Sequence, residues 1–177
     1  GWIAKKQAEA KTKQAATPSH QFVERERFFF LGKTYPLKLV SHHSPALSFH
    51  DEFYLSKDSQ PHARAVFETW YRKAARHLFN ERVRHYTEKY GFKVAKVKLS
   101  SAKKRWGSCS SKGNLNLVWR LVMAPLEIID YVIVHELCHL REANHSKRFW
   151  AEVEAILPDY KRRRKWLKEN GHQLHWE

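Results

Sequence analysis

Five consecutive residues, His135-Glu136-Leu137-Cys138-His139, place two imidazoles and a carboxylate at a spacing that suits metal-assisted hydrolysis. Four positions along an α-helix amount to a net rotation of about 40°, so His135 and His139 share one face and can chelate one ion. Glu136 lies about 100° round the helix, close enough to hold a water and take its proton without occupying a coordination position. His145 offers a third imidazole six residues after His139. Three neutral imidazoles with one open position describe a catalytic zinc site, because the fourth position stays available to water or substrate. Zinc in such a site lowers the pKa of water toward about 7 and polarises the bond under attack, while Glu136 passes the proton to the leaving group.

A chain with 12 His can produce H-E-x-x-H by accident, and histidines satisfied within a core are the alternative reading. Two features weigh against it. The motif interrupts an apolar helix, where unpaired polar groups are costly, and the third His follows closely. Cys109, in the small-residue stretch Ser108-Cys109-Ser110, reads as part of a hairpin rather than as a nucleophile, and Cys138 reads as packing.

These residues need elements to hold them. Pro125 suits the first turn of a helix in which Leu126, Ile129, Val132, Ile133, Leu137 and Leu140 form a wide apolar stripe. Ser146 can cap the next helix, packed through Phe149, Trp150, Val153, Ile156 and Leu157, and Pro158 opens a final basic helix reaching Asn170-Gly171. Upstream, residues 2–16 read as an Ala/Lys/Gln-rich helix. Residues 21–40 read as a hairpin turning at Leu31-Gly32-Lys33, and residues 41–59 as further short strands. Residues 61–90 carry Val66, Phe67, Trp70, Ala74, Leu78, Val83 and Tyr86 at helical spacing, closed by Gly91. A strand over 93–100 and a second hairpin over 105–118, turning at Ser111-Lys112-Gly113, complete the sheet near Arg120.

A length of 177 residues with 42% hydrophobic and 14% aromatic content supports one packed core and excludes a disordered chain. The longest apolar run, residues 131–134, is far short of a membrane span, so no membrane partner is expected. Two cysteines rule out a disulfide framework and suit a cytoplasmic location. The formal charge of +15 predicts attraction to anionic partners, whether nucleic acid, nucleotide phosphates or acidic protein surfaces, through a basic face. Lys161-Arg162-Arg163-Arg164-Lys165, flanked by Tyr160 and Trp166, could supply phosphate contacts and stacking, or simply form a solvated helix face.

From Arg105 through Trp166 the chain resembles the YgjP-like metallopeptidase family, related to the WLM and SprT-type zincins. The resemblance is carried by Arg105-Trp106-Gly107-Ser108-Cys109, Pro125, residues 131–140 around the H-E-x-x-H, and Asn144-His145-Ser146-Lys147-Arg148-Phe149-Trp150, with weaker similarity at Trp2-Ile3 and Tyr35-Pro36-Leu37. It implies His135, His139 and His145 as zinc ligands and Glu136 as the catalytic residue. The family's usual upstream strands are not seen, so residues 1–20 are expected to be a helix and linker continuing an upstream segment, with the metallohydrolase domain over residues 21–177. In the related metzincin pattern a Gly three residues after the second His makes the turn toward the third ligand. Glu142 stands there in this chain, so Asn144 is expected to turn in a left-handed conformation, with Glu142 the alternative third ligand. In zincin-like folds an edge strand beside the metal can pair with extended substrate, which points to the 105–118 hairpin. Arg105, Trp106 and Arg141 are the expected substrate contacts.

The expected fold is therefore an α+β zincin-like single domain: a small antiparallel or mixed sheet, a long packing helix, the metal helix and C-terminal helices. The expected function is zinc-dependent hydrolysis of a peptide bond. Two rivals stay open: hydrolysis of nucleotide phosphoanhydrides, and a nucleic-acid-associated protein with a structural zinc, for which Glu136 would be dispensable.

Overall fold

The computed structural model describes residues 19–41 and 43–176, so the helix expected over residues 2–16 lies outside the described residues. The first elements among the described residues are a hairpin of β1 (Arg27–Phe30) and β2 (Lys33–Val40), as the Gly32 turn signal predicts. Leu31 and Gly32 take φ of 51° and 85°, the pair of positive values that a two-residue type I′ turn needs. A left-handed Leu is unfavourable, and the tip is held by docking: the N–H groups of Leu31 and Gly32 donate to the carbonyls of Val122 and Met123 at 3.0 and 2.9 Å. A Cβ on Gly32 would come within 2.7 Å of Pro125 Cγ, so only glycine lets the hairpin tip sit against the start of the helix that carries the H-E-x-x-H motif.

Strands β3 (Leu47–His50) and β4 (Glu52–Ser56) extend this hairpin into a four-stranded sheet of order β1-β2-β4-β3. Strand β2 runs parallel to β4, while β1–β2 and β3–β4 are antiparallel. A second, three-stranded sheet has the order β5-β7-β6, with β5 (Lys96–Ser100) parallel to β7 (Asn114–Val118) and β6 (Gly107–Cys109) antiparallel to it. The fold is α+β as expected, with two small mixed sheets in place of one. Both parallel pairings join strands distant in sequence, which local alternation cannot reveal.

Helix α1 (Ala63–Tyr90) packs against β3, β5 and the helix over residues 126–138, and ends where Gly91 adopts φ 74°. Its buried stripe is Phe67, Tyr71, Ala75, Phe79, Val83 and Tyr86, spaced by four and then three residues. Val66, Trp70, Ala74 and Leu78, expected in the same stripe, are only partly buried one position round the helix. Trp70 there meets Phe30 and Phe53 edge-on, each at 5.1 Å. The centre of the core is aromatic: Phe28 stacks on Phe67 at 4.4 Å, and Trp176, near the chain's end, packs against Tyr71 and Trp119.

Helix α2 (Leu126–Cys138) is buried on almost every side. Its one buried aspartate, Asp130, receives both nitrogens of the Arg82 fork at 2.8 and 2.7 Å and the Tyr86 hydroxyl at 3.0 Å, which locks α2 to α1. Helix α3 (Lys147–Ile156) starts as expected at Ser146, whose hydroxyl accepts from the Phe149 N–H. Helix α4 (Tyr160–Asn170) follows and packs back on α2. No helix among the described residues is long and apolar enough to cross a membrane.

Candidate metal centre

Helix α2 stops one residue before the second histidine of the H-E-x-x-H motif. His139 is the C-cap of α2, still right-handed at φ −64°, so the two imidazoles keep their shared face. Short bonds then tighten the end: the N–H groups of His139, Leu140 and Arg141 reach back three residues to the carbonyls of Glu136, Leu137 and Cys138. This tightened turn carries the chain toward His145 without any positive φ, and Asn144 does not adopt the left-handed conformation expected of it. Ser146 donates its N–H to the Asn144 carbonyl, and α3 begins.

The result is a cluster in which one ring nitrogen each from His135, His139 and His145 lies within 4.8 Å of the others. Nδ1 of His139 sits 3.2 Å from the Glu142 carbonyl, so a proton held there leaves the Nε2 lone pair free. That Nε2 is 3.1 Å from Nε2 of His145. Two nitrogens on one tetrahedral zinc at 2.0–2.1 Å are separated by about 3.3 Å, so the pair already has the spacing of two ligands. Nδ1 of His135 faces Oε1 of Glu136 at 3.2 Å, and with its proton there it too presents Nε2. Glu142 contributes its backbone oxygen, and its carboxylate is not a member of the cluster. His145, though exposed, has a lowered pKa because of local desolvation and the two neighbouring imidazoles, which favours the neutral form that binds metal.

Glu136 is buried, 7% exposed, and no Lys or Arg among the described residues pairs with its carboxylate. Burying an anion without a cation is costly. A divalent ion on the adjacent triad would relieve that cost, and this, with the all-imidazole donor set, is the observation that fits the site to a metal. Strand β6 packs closely against the same side chain: a Cβ on Gly107 would lie 3.0 Å from Glu136 Cγ.

The triad and Glu136 open into a cleft of about 410 Å³, also lined by Arg105, Trp106, Gly107, Tyr131, Val132 and Leu167. Arg105 and Trp106 are therefore at the site. Trp106 is half-buried, beside His175 at 5.4 Å and against Gly171. Arg141 is not at the site, contrary to the sequence expectation. Its guanidinium lies 4.0 Å over the Phe92 ring, donates to the Tyr90 carbonyl and approaches Glu152 at 3.7 Å, so it braces the end of α1. Beyond the helix end, adjacency to the motif no longer says which way a side chain points. Three cleft residues, Tyr131, Val132 and Leu167, were not anticipated. Tyr131, four residues before His135 on the same face, was discoverable from helical spacing; Leu167, on the distant helix α4, had no local signal.

Burial, aided by the Glu136 charge, pushes the Cys109 thiol up to about 11 and so keeps it protonated and unreactive at neutral pH. In the basic run of α4, Arg162 bonds Glu127 and Asp159, and Arg163 bonds Asp159 and the Glu127 carbonyl. Much of that run is thus already neutralised.

A mixed α+β domain that seats a histidine triad and a buried glutamate at the end of a central helix, beneath the edge of a small sheet, has the build of a metallopeptidase. The model of the YgjP-like metallopeptidase domain matches residues 1–170, and the chain belongs to that family. Among solved structures, the crystal structure of the metallopeptidase zymogen of Pyrococcus abyssi abylysin is similar at 24% identity, covering 54% of this chain and 97% of that one with a TM-score of 0.48. No curated protein shows significant similarity to the chain.

Proposed function

We propose that the protein is a zinc-dependent peptidase in which His135, His139 and His145 hold the ion and Glu136 is the general base. The observation that carries this reading is the convergence of three imidazoles beside a buried carboxylate with no Lys or Arg partner among the described residues, in an open cleft. Zinc, when bound, supplies a Lewis acid that polarises the scissile carbonyl and lowers the pKa of water toward about 7. Glu136 takes a proton from the attacking water and returns it to the leaving amine. Tyr131, buried at the cleft wall, has its phenol pushed up to about 12 by burial, so at neutral pH it offers an O–H to the oxygen that gains charge. Strand β6 is the edge of its sheet and Gly107 lines the cleft, which leaves backbone groups for an extended peptide to pair with, flanked by Arg105 and Trp106. Cys109 and Cys138 are both free, which suits a reducing compartment such as the cytoplasm.

The test is Glu136→Gln with zinc content and turnover measured together. Zinc should be retained while turnover falls by about 10²- to 10⁴-fold. A substrate panel of unfolded protein, DNA-bound protein and nucleoside triphosphates accompanies it. Turnover of triphosphates alone would replace the peptidase reading with phosphoanhydride hydrolysis, and full activity of the variant would make the zinc structural.

A further inference from the structure

The metal cleft has a neighbour. A second pocket of about 340 Å³ shares His145 with it and is bounded by Lys147, Trp150, Glu154, Tyr160 and Arg164. Of three consecutive arginines of α4 only Arg164 lines this pocket, and the situations of the three differ. Arg162 and Arg163 are consumed by Asp159 and Glu127. Arg164 has no hydrogen bond or ion pair among the described residues, and lies with its guanidinium carbon 4.7 Å over the Trp150 ring. Stacking of this kind leaves the N–H fork free at its edges and fixes where it points.

The platform under Arg164 is itself fixed. Trp150 stacks on Tyr160 at 5.3 Å with 18° between the planes, and on His145 at 5.8 Å with 24°. An unneutralised guanidinium is thus held on a rigid aromatic stack, one ring of which belongs to the histidine triad. Lys147 adds a second cation and Glu154 an anion, so the charged lining sums to +1: two positive groups against one negative. That balance suits a single carboxylate, which a guanidinium receives in a bidentate manner, better than a phosphate dianion facing Glu154.

We propose that this pocket is a subsite for a carboxylate of the substrate, with Arg164 as the specificity-determining residue. The proposal rests on the peptidase reading and deepens it: the enzyme selects peptides bearing an acidic group on the His145 side of the scissile bond. The carboxylate has two sources, an Asp or Glu side chain or the free end of a peptide chain.

Binding tests it without relying on turnover. Zinc-loaded protein carrying Glu136→Gln is titrated with a positional series of amide-capped peptides, each pair differing by Glu in place of Gln, and with a Gln peptide whose C-terminal carboxylate is free. One Glu position, or the free carboxylate, should tighten binding about tenfold over its neutral counterpart. Adding Arg164→Ala should erase that ratio. Adding Arg164→Glu should transfer the preference to a Lys-bearing peptide, and the neighbouring Lys161→Ala should leave the ratio unchanged. Equal binding of all peptides, or a ratio that survives Arg164→Ala, overturns the subsite. Selective binding with no cleavage by the unmutated protein would instead refute the peptidase reading alone, and cleavage of every peptide without preference would refute the subsite alone.

Discussion

Glu136 does its proposed work under a constraint set by a residue with no side chain. The β6 backbone at Gly107 comes so near that an added methyl would stand 3.0 Å from Glu136 Cγ, 3.2 Å from the Asn116 carbonyl and 3.3 Å from Leu117 Cδ2. The Asn116 carbonyl is backbone of the paired strand β7 and Leu117 is fully buried, so the Glu136 side chain gives way first. Gly107→Ala is therefore expected to displace Glu136 while the triad still binds zinc. The expected outcome is a fall in kcat of about 10- to 100-fold with zinc stoichiometry unchanged, since small misplacements of a catalytic group are costly in rate. Steady-state kinetics beside metal analysis checks it, and undiminished kcat would show that the contact has room to relax. At this scale the sequence was most informative where chemistry follows helical geometry. His135, Glu136 and His139 obey a four-residue spacing and Tyr131 extends it backward, whereas Arg141 follows the end of the helix and turns to Phe92. The turn to His145 was legible in its destination and not in its conformation, because 3₁₀-type closure of the last helical turn replaces a left-handed residue.

Between elements, the contact with the greatest leverage is the one least visible in sequence. Asp130 stands in the middle of an apolar helix, and only the fold reveals that Arg82 and Tyr86, more than 40 positions earlier, satisfy it. Asp130 is 6% exposed, so Arg82→Ala leaves a buried carboxylate with one hydroxyl partner. Removing one member of such a pair costs about 3–5 kcal/mol, while replacing both with apolar residues of similar size is often close to neutral. Arg82→Met should then lower the urea midpoint sharply, and Arg82→Met with Asp130→Leu should recover most of the loss. A double variant as unstable as the sum of the singles would mean that the pair contributes more than its own neutralisation. The hairpin tips at Gly32 and Gly113, the Gly91 stop and the Ser146 cap were all readable, since each is a local conformational demand on one residue type. The parallel pairs β2–β4 and β5–β7 were not, because nothing local encodes which distant strand lies alongside. The one-residue offset of the α1 stripe arose from choosing among apolar residues on a helix rich in them.

The whole molecule combines a formal charge of +15 with a core dense in ionisable groups held neutral. Burial pushes Tyr86 and Tyr131 from 10.0 up to about 12, and raises Tyr71 well above its ordinary value too. It also pushes Cys109 and Cys138 from 9.0 up to about 11 and about 12. Each of these groups releases its proton more readily in the unfolded chain. Below about pH 9 both states hold the protons and stability is unaffected by them. Above it the unfolded state binds fewer protons than the folded one, so stability falls as pH rises toward about 12. Lysine deprotonation above about pH 10 works the other way, by relieving self-repulsion. The decline should therefore be clearest as the cysteines begin to titrate, just above their ordinary value of 9.0. Melting temperature measured across this range should drop before lysine neutralisation begins. Tyrosinate absorbance should show that some of the 7 Tyr ionise only as the fold is lost. A titration in which every tyrosine ionises together near its ordinary pKa, with secondary structure intact, would mean that the core around α1 and α2 opens to solvent far more freely than its packing implies.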